Sequence, residues 1–328
     1  MKKKFLAVLL AACTLFSLTT GCSSDDDSKN NTAQNTINIA CMKGPTGIGM
    51  IKLISDSDDE KSVNHYNYSI VGTADEISTG LVKGDLDIAA VPCNLASVLY
   101  NKTEGEIVTV AINTLGVLYI VEAGESVNEI TDLKGKTIYS TGQGTTPEYT
   151  LRYLLSQAGI DPDNDVDIQF KSEAPEVLAS LTNDQSAVAM LPQPYVTTAL
   201  NSNENMRIAL DVTAQWEELV NSTVVTGVLV ARKSYIEENK EAFDAFLSEY
   251  KASTTYANEH IDETATLLEK YDVFKAAIAK KAIPYCNVVF INGDEMKDKA
   301  LAYLKVLYDQ NPKAIGGSLE EGMFYIEK

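Results

Sequence analysis

The residues best suited to chemistry lie at 141–147, Thr-Gly-Gln-Gly-Thr-Thr-Pro, where glycines and hydroxyl side chains precede a predicted helix. Residues 137–140 form a short strand-like run, and Glu148 stands three residues after Thr145, as in a capping box. A strand that passes through a glycine loop into a helix directs free backbone N–H groups towards a ligand. This stretch therefore predicts the binding of a small anion or polar group.

Residues that could carry out catalysis are scattered along the chain. Neither of the two histidines, His65 and His260, lies in a candidate loop. Ser248 and Lys251 match a Ser-x-x-Lys pattern, but they lie on a predicted amphipathic helix. Glu148 is the only carboxylate beside the candidate loops, and its place in the helix start accounts for it. General acid–base catalysis needs a positioned partner group, so we predict no catalytic residue and no enzymatic activity.

The cysteines do not indicate a metal or a cofactor. Cys41, Cys93 and Cys286 follow the amino-terminal region, and their odd number and spacing match neither a zinc site nor a disulfide framework. We predict that these three are buried free thiols. We also predict that the protein uses no metal and no cofactor.

The pattern around residues 141–147 recurs one hundred residues earlier in the chain. Corresponding positions include Gly44 and Gly144, Thr46 and Thr146, Leu81 and Leu181, and Pro92 and Pro192. In each copy, strand-like runs alternate with helical stretches, which predicts right-handed β-α-β units and mainly parallel sheets. We therefore predict an α/β fold with two similar lobes.

Ligands bind beyond the carboxyl ends of the strands in sheets of this kind. The loops predicted at those ends are 44–47 and 92–95 in the first copy, and 141–147 and 192–195 in the second. If the lobes face each other, these loops and several helix starts converge on one cleft. The predicted ligand-binding residues are Pro45, Thr46, Gly47, Asn94, Thr114, Gly142, Gln143, Gly144, Thr145, Thr146, Gln193 and Tyr195.

Segments outside the repeat predict how the lobes are connected. Apolar strand-like runs at 116–121 and 226–231 would cross between the lobes and form a hinge. Beyond Ser234, apolar residues recur at helical spacing. We predict that residues 37–120 and 228–328 form lobe 1, and that residues 121–227 form lobe 2.

The amino-terminal region has the features of a targeting segment. Lys2-Lys3-Lys4 precede an apolar run over residues 5–18. Leu18-Thr19-Thr20-Gly21-Cys22 resembles a bacterial lipobox, although Thr19 stands where Leu is usual. We predict a lipoprotein signal peptide at 1–22, with Cys22 lipidated, and a polar flexible tether at 23–36. Leu10-Ala11-Ala12-Cys13 also fits the lipobox pattern, but lipidation of Cys13 would leave the apolar residues 14–18 on the mature protein. The other alternative is a plain secretory signal.

Removal of such a signal would make an acidic chain more acidic. It would take away three lysines and no acidic residue, so the net charge would change from −19 to −22. That charge is unfavourable for binding to nucleic acid or to anionic lipid. The predicted anchor and tether indicate display at a membrane surface. We predict a monomer held by its lipid anchor at the extracytoplasmic face of the cell membrane, on the surface of a Gram-positive cell.

Several segments together carry a resemblance to a known family. They are the lipobox at Cys22, residues 43–47, the Asp-Leu-Lys-Gly-Lys-Thr turn at 132–137, the run 227–232, and residues 311–317 with Phe324 and Tyr325. The chain resembles the substrate-binding lipoproteins of ABC importers, in the nitrate, sulfonate, taurine and thiamine-precursor branch of the periplasmic-binding-protein fold. The resemblance implies a type II fold with two lobes joined by two hinge strands, closing on a small solute and docking on a membrane permease. The cysteine-rich motif of thiamine-precursor synthases is absent.

The composition of the candidate loops narrows the predicted solute. Lys43 is the only basic residue among them, and Arg152 is expected to face the surface. Multiply charged phosphate groups usually attract arginine, so we predict a neutral or monoanionic organic solute. A sulfonate and a planar heterocycle stacked on Tyr195 are both consistent with these loops. Alternative functions are a membrane-anchored solute sensor and a cofactor-free enzyme on the same fold.

Overall fold

The computed structural model describes residues 35–220 and 222–327. The signal peptide predicted at 1–22, its Cys22 and residues 23–34 of the predicted tether lie outside the described residues. Within the described ranges, no helix is both long enough and apolar enough to cross a membrane.

Strands and helices alternate through the first two thirds of the described chain, and helices dominate the last third. The strands are β1 (Thr36–Met42), β2 (His65–Val71), β3 (Ile88–Pro92), β4 (Ile107–Leu115), β5 (Leu118–Ala123), β6 (Thr137–Ser140), β7 (Asp167–Phe170), β8 (Val188–Pro192), β9 (Met206–Asp211), β10 (Val225–Arg232) and β11 (Val288–Ile291). The helices are α1 (Pro45–Ile48), α2 (Ile51–Asp58), α3 (Ala74–Lys83), α4 (Cys93–Lys102), α5 (Thr146–Gln157), α6 (Ala174–Asn183), α7 (Tyr195–Ser202), α8 (Val212–Val220), α9 (Lys233–Glu238), α10 (Lys240–Glu259), α11 (Ile261–Lys270), α12 (Ala276–Ala282) and α13 (Gly293–Gln310). Short 3-10 helices occupy Ile130–Leu133, Ile283–Tyr285, Pro312–Ile315 and Glu321–Met323.

The strands form two separate sheets. One has the spatial order β11-β4-β10-β3-β1-β2 and the other β7-β6-β8-β5-β9. In the first sheet β1, β2, β3 and β4 point one way and β10 and β11 the other, and in the second β5 alone opposes its neighbours. The predicted two-lobed α/β fold is therefore confirmed. We call the part built on the six-stranded sheet lobe 1 and the part built on the five-stranded sheet lobe 2.

Burial along the strands reflects their place in the sheets. β3 and β4 are buried along almost their whole length and consist mainly of apolar residues, because helices cover both faces of the central strands. β2 lies at the edge of its sheet, and four of its seven residues are exposed. The apolar runs that identified strands in the sequence are thus mostly the central strands.

The chain passes from lobe 1 to lobe 2 between β4 and β5, through residues 116 and 117. A β-carbon placed on Gly116 would lie 2.0 Å from Oγ1 of Thr213, so this crossing has room only for glycine. The chain returns to the first sheet as β10, which inserts between β3 and β4 and runs antiparallel to both. The return strand and β11 together give the first sheet its mixed direction.

The predicted internal repeat is confirmed in the elements after β2 and β7. α3 and α6 begin and end one hundred residues apart, and so do β3 and β8. Over 91–100 and 191–200, buried and partly exposed positions follow the same order. The copies differ after β1 and β6, because lobe 1 has the separate helices α1 and α2 where lobe 2 has the single helix α5.

Aromatic packing joins the two lobes at α5, α8 and α13. The ring of Trp216 on α8 lies 5.0 Å from that of Tyr153 on α5 and 5.2 Å from that of Tyr303 on α13. The hydroxyl groups of Thr150 and Tyr303 are 2.8 Å apart, and both residues are fully buried. This interface fixes α5, whose first residues face the cavity described below, against the carboxyl-terminal part of the chain.

The three predicted buried thiols are confirmed. Cys41, Cys93 and Cys286 are free and buried. Burial raises the pKa of Cys41 and of Cys286 to about 12, and it also raises the pKa of Cys93. The reactive thiolate is therefore scarce at all three positions near neutral pH.

We expect none of these three thiols to react with iodoacetamide in the folded protein at pH 8. All three should react once the protein is unfolded in guanidinium chloride, because both burial and the raised pKa are then lost. Peptide mass mapping after each treatment measures the modification site by site. Modification of Cys41 or Cys93 in the folded protein would contradict the buried placement.

Candidate functional site

A cavity of about 880 Å³ lies between the two lobes. Its walls come from the ends of β1, β2 and β3 in lobe 1, and of β6, β7 and β8 in lobe 2, with a further wall between α11 and α12. The lining residues are 42–46, 72–75, 92, 118, 141–143, 145–147, 170–175, 192, 195, 198, 226, 269, 272–275 and 278. The cavity thus lies at the sheet edges where the sequence predicted a ligand site.

Five helices of eight residues or more begin at this cavity. α3, α4, α5, α6 and α7 each have the residue before their first turn, or their first residue, in the lining. Each helix start carries a partial positive charge, worth about 0.3–1 kcal/mol to a nearby anion at an exposed site. The convergence of five such ends favours negative charge without an arginine and counteracts the carboxylates that also line the cavity.

The glycine and threonine loop before α5 is shaped by its own hydrogen bonds. Thr145 donates to the carbonyl oxygen of Gly142 through its backbone N–H at 2.9 Å and through Oγ1 at 2.7 Å. The predicted capping box is wrong in detail, because this N–H is already bonded and Glu148 accepts instead from the N–H of Gly144, at 2.7 Å. Gly142 has φ = +74°, a left-handed conformation that favours glycine.

Seven of the predicted ligand-binding residues line the cavity and five do not. Those in the lining are Pro45, Thr46, Gly142, Gln143, Thr145, Thr146 and Tyr195. Those outside it are Gly47, Asn94, Thr114, Gly144 and Gln193. Because no ligand contact has been observed for any of them, their roles in binding stay predictions.

Asn94 instead connects the lobes behind the cavity. It is 1% exposed, and its Nδ2 donates to the carbonyl oxygens of Gly144 at 3.1 Å and Ala314 at 2.9 Å. Its Oδ1 accepts from Oγ1 of Thr146 at 3.4 Å. Asn94 thereby links the start of α4 in lobe 1 to the loop before α5 in lobe 2.

The other predicted residues outside the lining are also held in the protein interior or loops. Gln193 is buried, and its Oε1 accepts from the N–H and the hydroxyl of Thr197. Gly47 and Thr114 are buried beside the lining, and the hydroxyl of Thr114 has no hydrogen-bond partner. These side chains support the loops that face the cavity.

The charged groups of the cavity differ from those expected. Lys43 is not its only base, since Lys171 and Lys275 also line it. Nζ of Lys43 lies 3.2 Å from Oδ2 of Asp272, and Nζ of Lys275 lies 3.7 Å from Oε1 of Glu269. The sequence analysis named Lys43 alone because it considered only the loops of the repeat, and Lys171 and Lys275 lie outside those loops.

The carboxylates were also predicted incorrectly. Glu148 does not line the cavity, whereas Asp75, Glu173, Glu269 and Asp272 do. Asp75 and Glu173 lie at helix starts, Glu269 lies in the last turn of α11, and Asp272 lies between α11 and α12, all outside the loops of the repeat.

The placement of Arg152 was predicted correctly. Arg152 forms ion pairs with Glu148 and Asp163, each at 2.7 Å, outside the lining. Its charge is therefore already paired and is not directed at the cavity.

The wall between α11 and α12 was missed by the sequence analysis. The helical spacing of apolar residues in this part of the sequence indicated core packing. Phe274, however, lies in the segment between α11 and α12, and an aromatic residue in a connecting segment was the signal that could have identified it as a lining residue. The ring centroids of Phe274 and Tyr195 are 5.4 Å apart and the rings are inclined at 75°. Burial raises the pKa of Tyr195, and the charge of Glu173 raises it further, so its hydroxyl remains a neutral donor.

Glu173 brings the lobes together at another wall. A β-carbon placed on Gly72 would lie 2.4 Å from Oε1 of Glu173, so the carboxylate of lobe 2 packs directly on the backbone of lobe 1. The two loops that follow β2 and β7 therefore meet across the cavity. The contact of Glu173 with Gly72 and the ring pair of Tyr195 with Phe274 thus connect the lobes at two separate walls of the cavity.

Both histidines lie outside the cavity lining. His65 is exposed, and His260 stacks on Tyr256 with 4.4 Å between ring centroids. Among residues 35–220 and 222–327, no group of three or more His, Cys, Asp or Glu side chains is placed to hold a metal ion. The arrangement supports binding through backbone groups, hydroxyls and aromatic rings.

Comparison with known proteins identifies relatives over most of the described chain. The sequence profile of a family described as ABC transporter, phosphonate, periplasmic substrate-binding protein matches residues 63–281. A Brucella abortus (strain 2308) protein, named a binding protein, is 24% identical over 173 residues, which are 53% of this chain and 52% of that protein. The chain thus spans about half the length of the curated relatives it matches.

Solved structures share the fold. An ABC transporter protein from Parabacteroides distasonis has a TM-score of 0.74 and 24% identity, over 90% of this chain and 100% of that one. The periplasmic aliphatic sulphonate binding protein SsuA from Escherichia coli has a TM-score of 0.72 and 15% identity, over 90% and 94% of the two chains.

Proposed function

The chain belongs to the family of periplasmic phosphonate substrate-binding proteins of ABC transporters, and from that premise we propose that it captures a small organic solute between its lobes and delivers it to an ABC importer. The observation that carries the proposal is the convergence of five helix starts on one cavity of about 880 Å³. A volume of this order is suited to an organic molecule rather than to an inorganic ion. Binding through backbone groups also requires no set of catalytic residues.

The solute that suits the cavity is a monoanion such as a sulfonate, or a planar heterocycle. No arginine is among the lining residues that the structure describes, and Lys43 and Lys275 are paired with carboxylates. Beyond Lys171, a doubly charged group would therefore find little unpaired positive charge in the described lining. The sulphonate named for the Escherichia coli neighbour supports the monoanion, and the ring of Tyr195 supports the heterocycle.

The proposed organisation follows from the placement of the strands. We assign residues 37–120 and 228–328 to lobe 1 and residues 121–227 to lobe 2. β5 in the five-stranded sheet and β10 in the six-stranded sheet support this division, although each strand begins three residues before the proposed bound, at Leu118 and at Val225. The seven predicted residues in the lining are the proposed ligand contacts, and the protein is proposed to act as a monomer.

Ligand capture is tested by thermal unfolding across a panel of sulfonates, phosphonates, pyrimidines and amino-acid derivatives. We expect at least one compound to raise the Tm by several degrees at 1 mM, because a ligand at 100 times its Kd adds about 2.7 kcal/mol to the free energy of unfolding. No shift with any compound at millimolar concentration would reject the proposal. Uptake of the labelled compound by cells with and without the gene then tests delivery, and unchanged uptake would favour a sensor.

Cys22→Ser is expected to release the protein from the membrane. We propose that a lipid on Cys22 anchors the chain and that the residues from 23 to the start of β1 act as a tether, one residue shorter than predicted because Thr36 already belongs to β1. The polar composition of this segment suits a tether. Fractionation followed by immunoblotting measures the distribution, with Cys13→Ser as the matched control that should remain bound. Retention of Cys22→Ser in the membrane fraction would reject the anchor.

A further inference from the structure

The size of the cavity restricts what can fill it. Ligand sites of roughly 300–1,000 Å³ enclose molecules of drug size, and this cavity measures about 880 Å³. A methyl or ethyl group attached to one anionic group would leave much of that space to water. A ligand that fills the cavity therefore has a sizeable body in addition to its polar head.

The chemistry of the walls indicates what that body is. The helix starts supply the polar side, with Thr145 and Thr146 at the beginning of α5. Apolar and aromatic side chains also line the cavity, namely Leu118, Phe170, Tyr195, Phe274 and Ile278. Burial of apolar ligand surface against such side chains stabilises a complex by about 25 cal/mol per Å².

Tyr195 and Phe274 form an aromatic corner at this wall. Their rings are inclined at 75° with centroids 5.4 Å apart. A planar ring that lies flat on one of them meets the other edge to face, and both arrangements are favourable between aromatic groups. An aliphatic chain of equal surface area gains only the free energy of apolar burial, without the additional stabilisation of ring–ring contacts.

The corner is assembled from both lobes. Tyr195 begins α7 of lobe 2, and Phe274 precedes α12, which follows α11 in the carboxyl-terminal part of the chain. Nζ of Lys281 on α12 donates to Oδ1 of Asn201 on α7 at 2.8 Å, which holds the two helices together. The ion pair of Asp272 with Lys43 attaches the same segment to the loop after β1.

We propose that the ligand is an organic monoanion with an aromatic body, and that Phe274 and Tyr195 select it by binding that body. This inference rests on the proposed function and specifies its solute. The anionic group faces the helix starts and the ring system lies in the corner. Phe274 lies outside the internal repeat, so this selectivity is contributed by the carboxyl-terminal part of the chain.

The test is a calorimetric series in which the head is constant and the body changes: methanesulfonate, hexanesulfonate and naphthalene-2-sulfonate, with uncharged 2-naphthol as the fourth probe. We expect naphthalene-2-sulfonate to bind at least 30-fold more tightly than methanesulfonate and at least threefold more tightly than hexanesulfonate. Equal affinities for naphthalene-2-sulfonate and hexanesulfonate would overturn the aromatic corner.

Variants at Phe274 test whether the preference for an aromatic body arises at the aromatic corner. Phe274→Ala should reduce the affinity ratio of naphthalene-2-sulfonate to methanesulfonate at least fivefold, and Phe274→Tyr should restore most of it. Tyr285→Ala removes an exposed aromatic ring outside the lining and should leave the ratio unchanged. A ratio that does not respond to Phe274→Ala would overturn the assignment.

The outcomes also separate this inference from the proposed function. If no probe of the series binds while another compound of the thermal panel raises the Tm, the aromatic anion is wrong and solute capture stands. If 2-naphthol bound as tightly as naphthalene-2-sulfonate, the proposal that the protein recognises an anionic group would be wrong. If nothing in either set binds, both proposals fall.

Discussion

Thr145→Asp is expected to weaken the binding of an anionic solute roughly 100-fold while leaving the fold stable. Thr145 precedes α5 in an extended conformation and lines the cavity. An aspartate there would place a negative charge beside the proposed site of the ligand anion. Two like charges about 6 Å apart repel by about 3 kcal/mol at an effective dielectric constant of 20, which corresponds to about two factors of ten in Kd.

The variant should nevertheless fold, which makes the loss of binding interpretable. Aspartate is among the preferred residues before the first turn of a helix, and its charge interacts favourably with the helix dipole. Thr145→Asn is the matched control, because it has nearly the same shape and no charge. Titration calorimetry with a compound identified by thermal unfolding gives both affinities, and thermal unfolding without ligand verifies the fold.

The comparison of the two variants also decides between the proposed solute classes. A monoanion should bind much more weakly to Thr145→Asp than to Thr145→Asn, whereas an uncharged heterocycle should bind the two variants almost equally. Equal binding of an anionic compound to Thr145→Asp and Thr145→Asn would show that the anion does not lie at α5.

Asn94→Leu is expected to lower the free energy of unfolding by about 2–4 kcal/mol. Asn94 is 1% exposed and donates to the carbonyl oxygens of Gly144 and Ala314. Leucine has a similar size but no hydrogen-bonding group, so these acceptors and the hydroxyl of Thr146 lose their common partner. Each buried polar group left unsatisfied costs about 1–3 kcal/mol, and partial relaxation reduces the sum.

Guanidinium unfolding followed by tryptophan emission provides the measurement. The chain has one tryptophan, and Trp216 is fully buried between the rings of Tyr153 and Tyr303. Its emission should therefore change when the lobes unfold. Asn205→Leu, at an exposed position, is the control and should change stability by less than about 0.5 kcal/mol.

Ligand affinity should fall with Asn94→Leu as well. The same hydrogen bonds hold the loop before α5, so their loss increases the conformational freedom that binding must remove. A destabilisation below about 1 kcal/mol would mean that water replaces the amide and that Asn94 does not hold the two lobes together.

Patterns within short stretches of the chain were sufficient to predict the fold and the general place of the site. The repeat at one hundred residues predicted two lobes and correctly aligned α3 with α6 and β3 with β8. Periodicity of apolar residues and helix-start residues are local signals, so they are readable without knowledge of the partner segments. The same signals placed the cavity at the carboxyl ends of the strands.

The details of the site depended on contacts between distant parts of the chain. The sequence shows Asn94 and Thr145 in equally suitable loops, but folding buries Asn94 between the lobes and leaves Thr145 on the cavity wall. Phe274 reaches Tyr195 only because α12 packs against α7, and Asp272 pairs with Lys43 across more than two hundred residues.

The loop 141–147 was recognisable as a place to hold a polar group because its glycines, hydroxyl side chains and helix start lie within seven consecutive residues. Which of its atoms face the cavity, and which aromatic and charged groups complete the walls, was decided by tertiary packing. The physical reason is that helix starts and apolar periodicity are encoded by neighbours in the chain, whereas burial and pairing of side chains depend on segments that meet only in the folded protein.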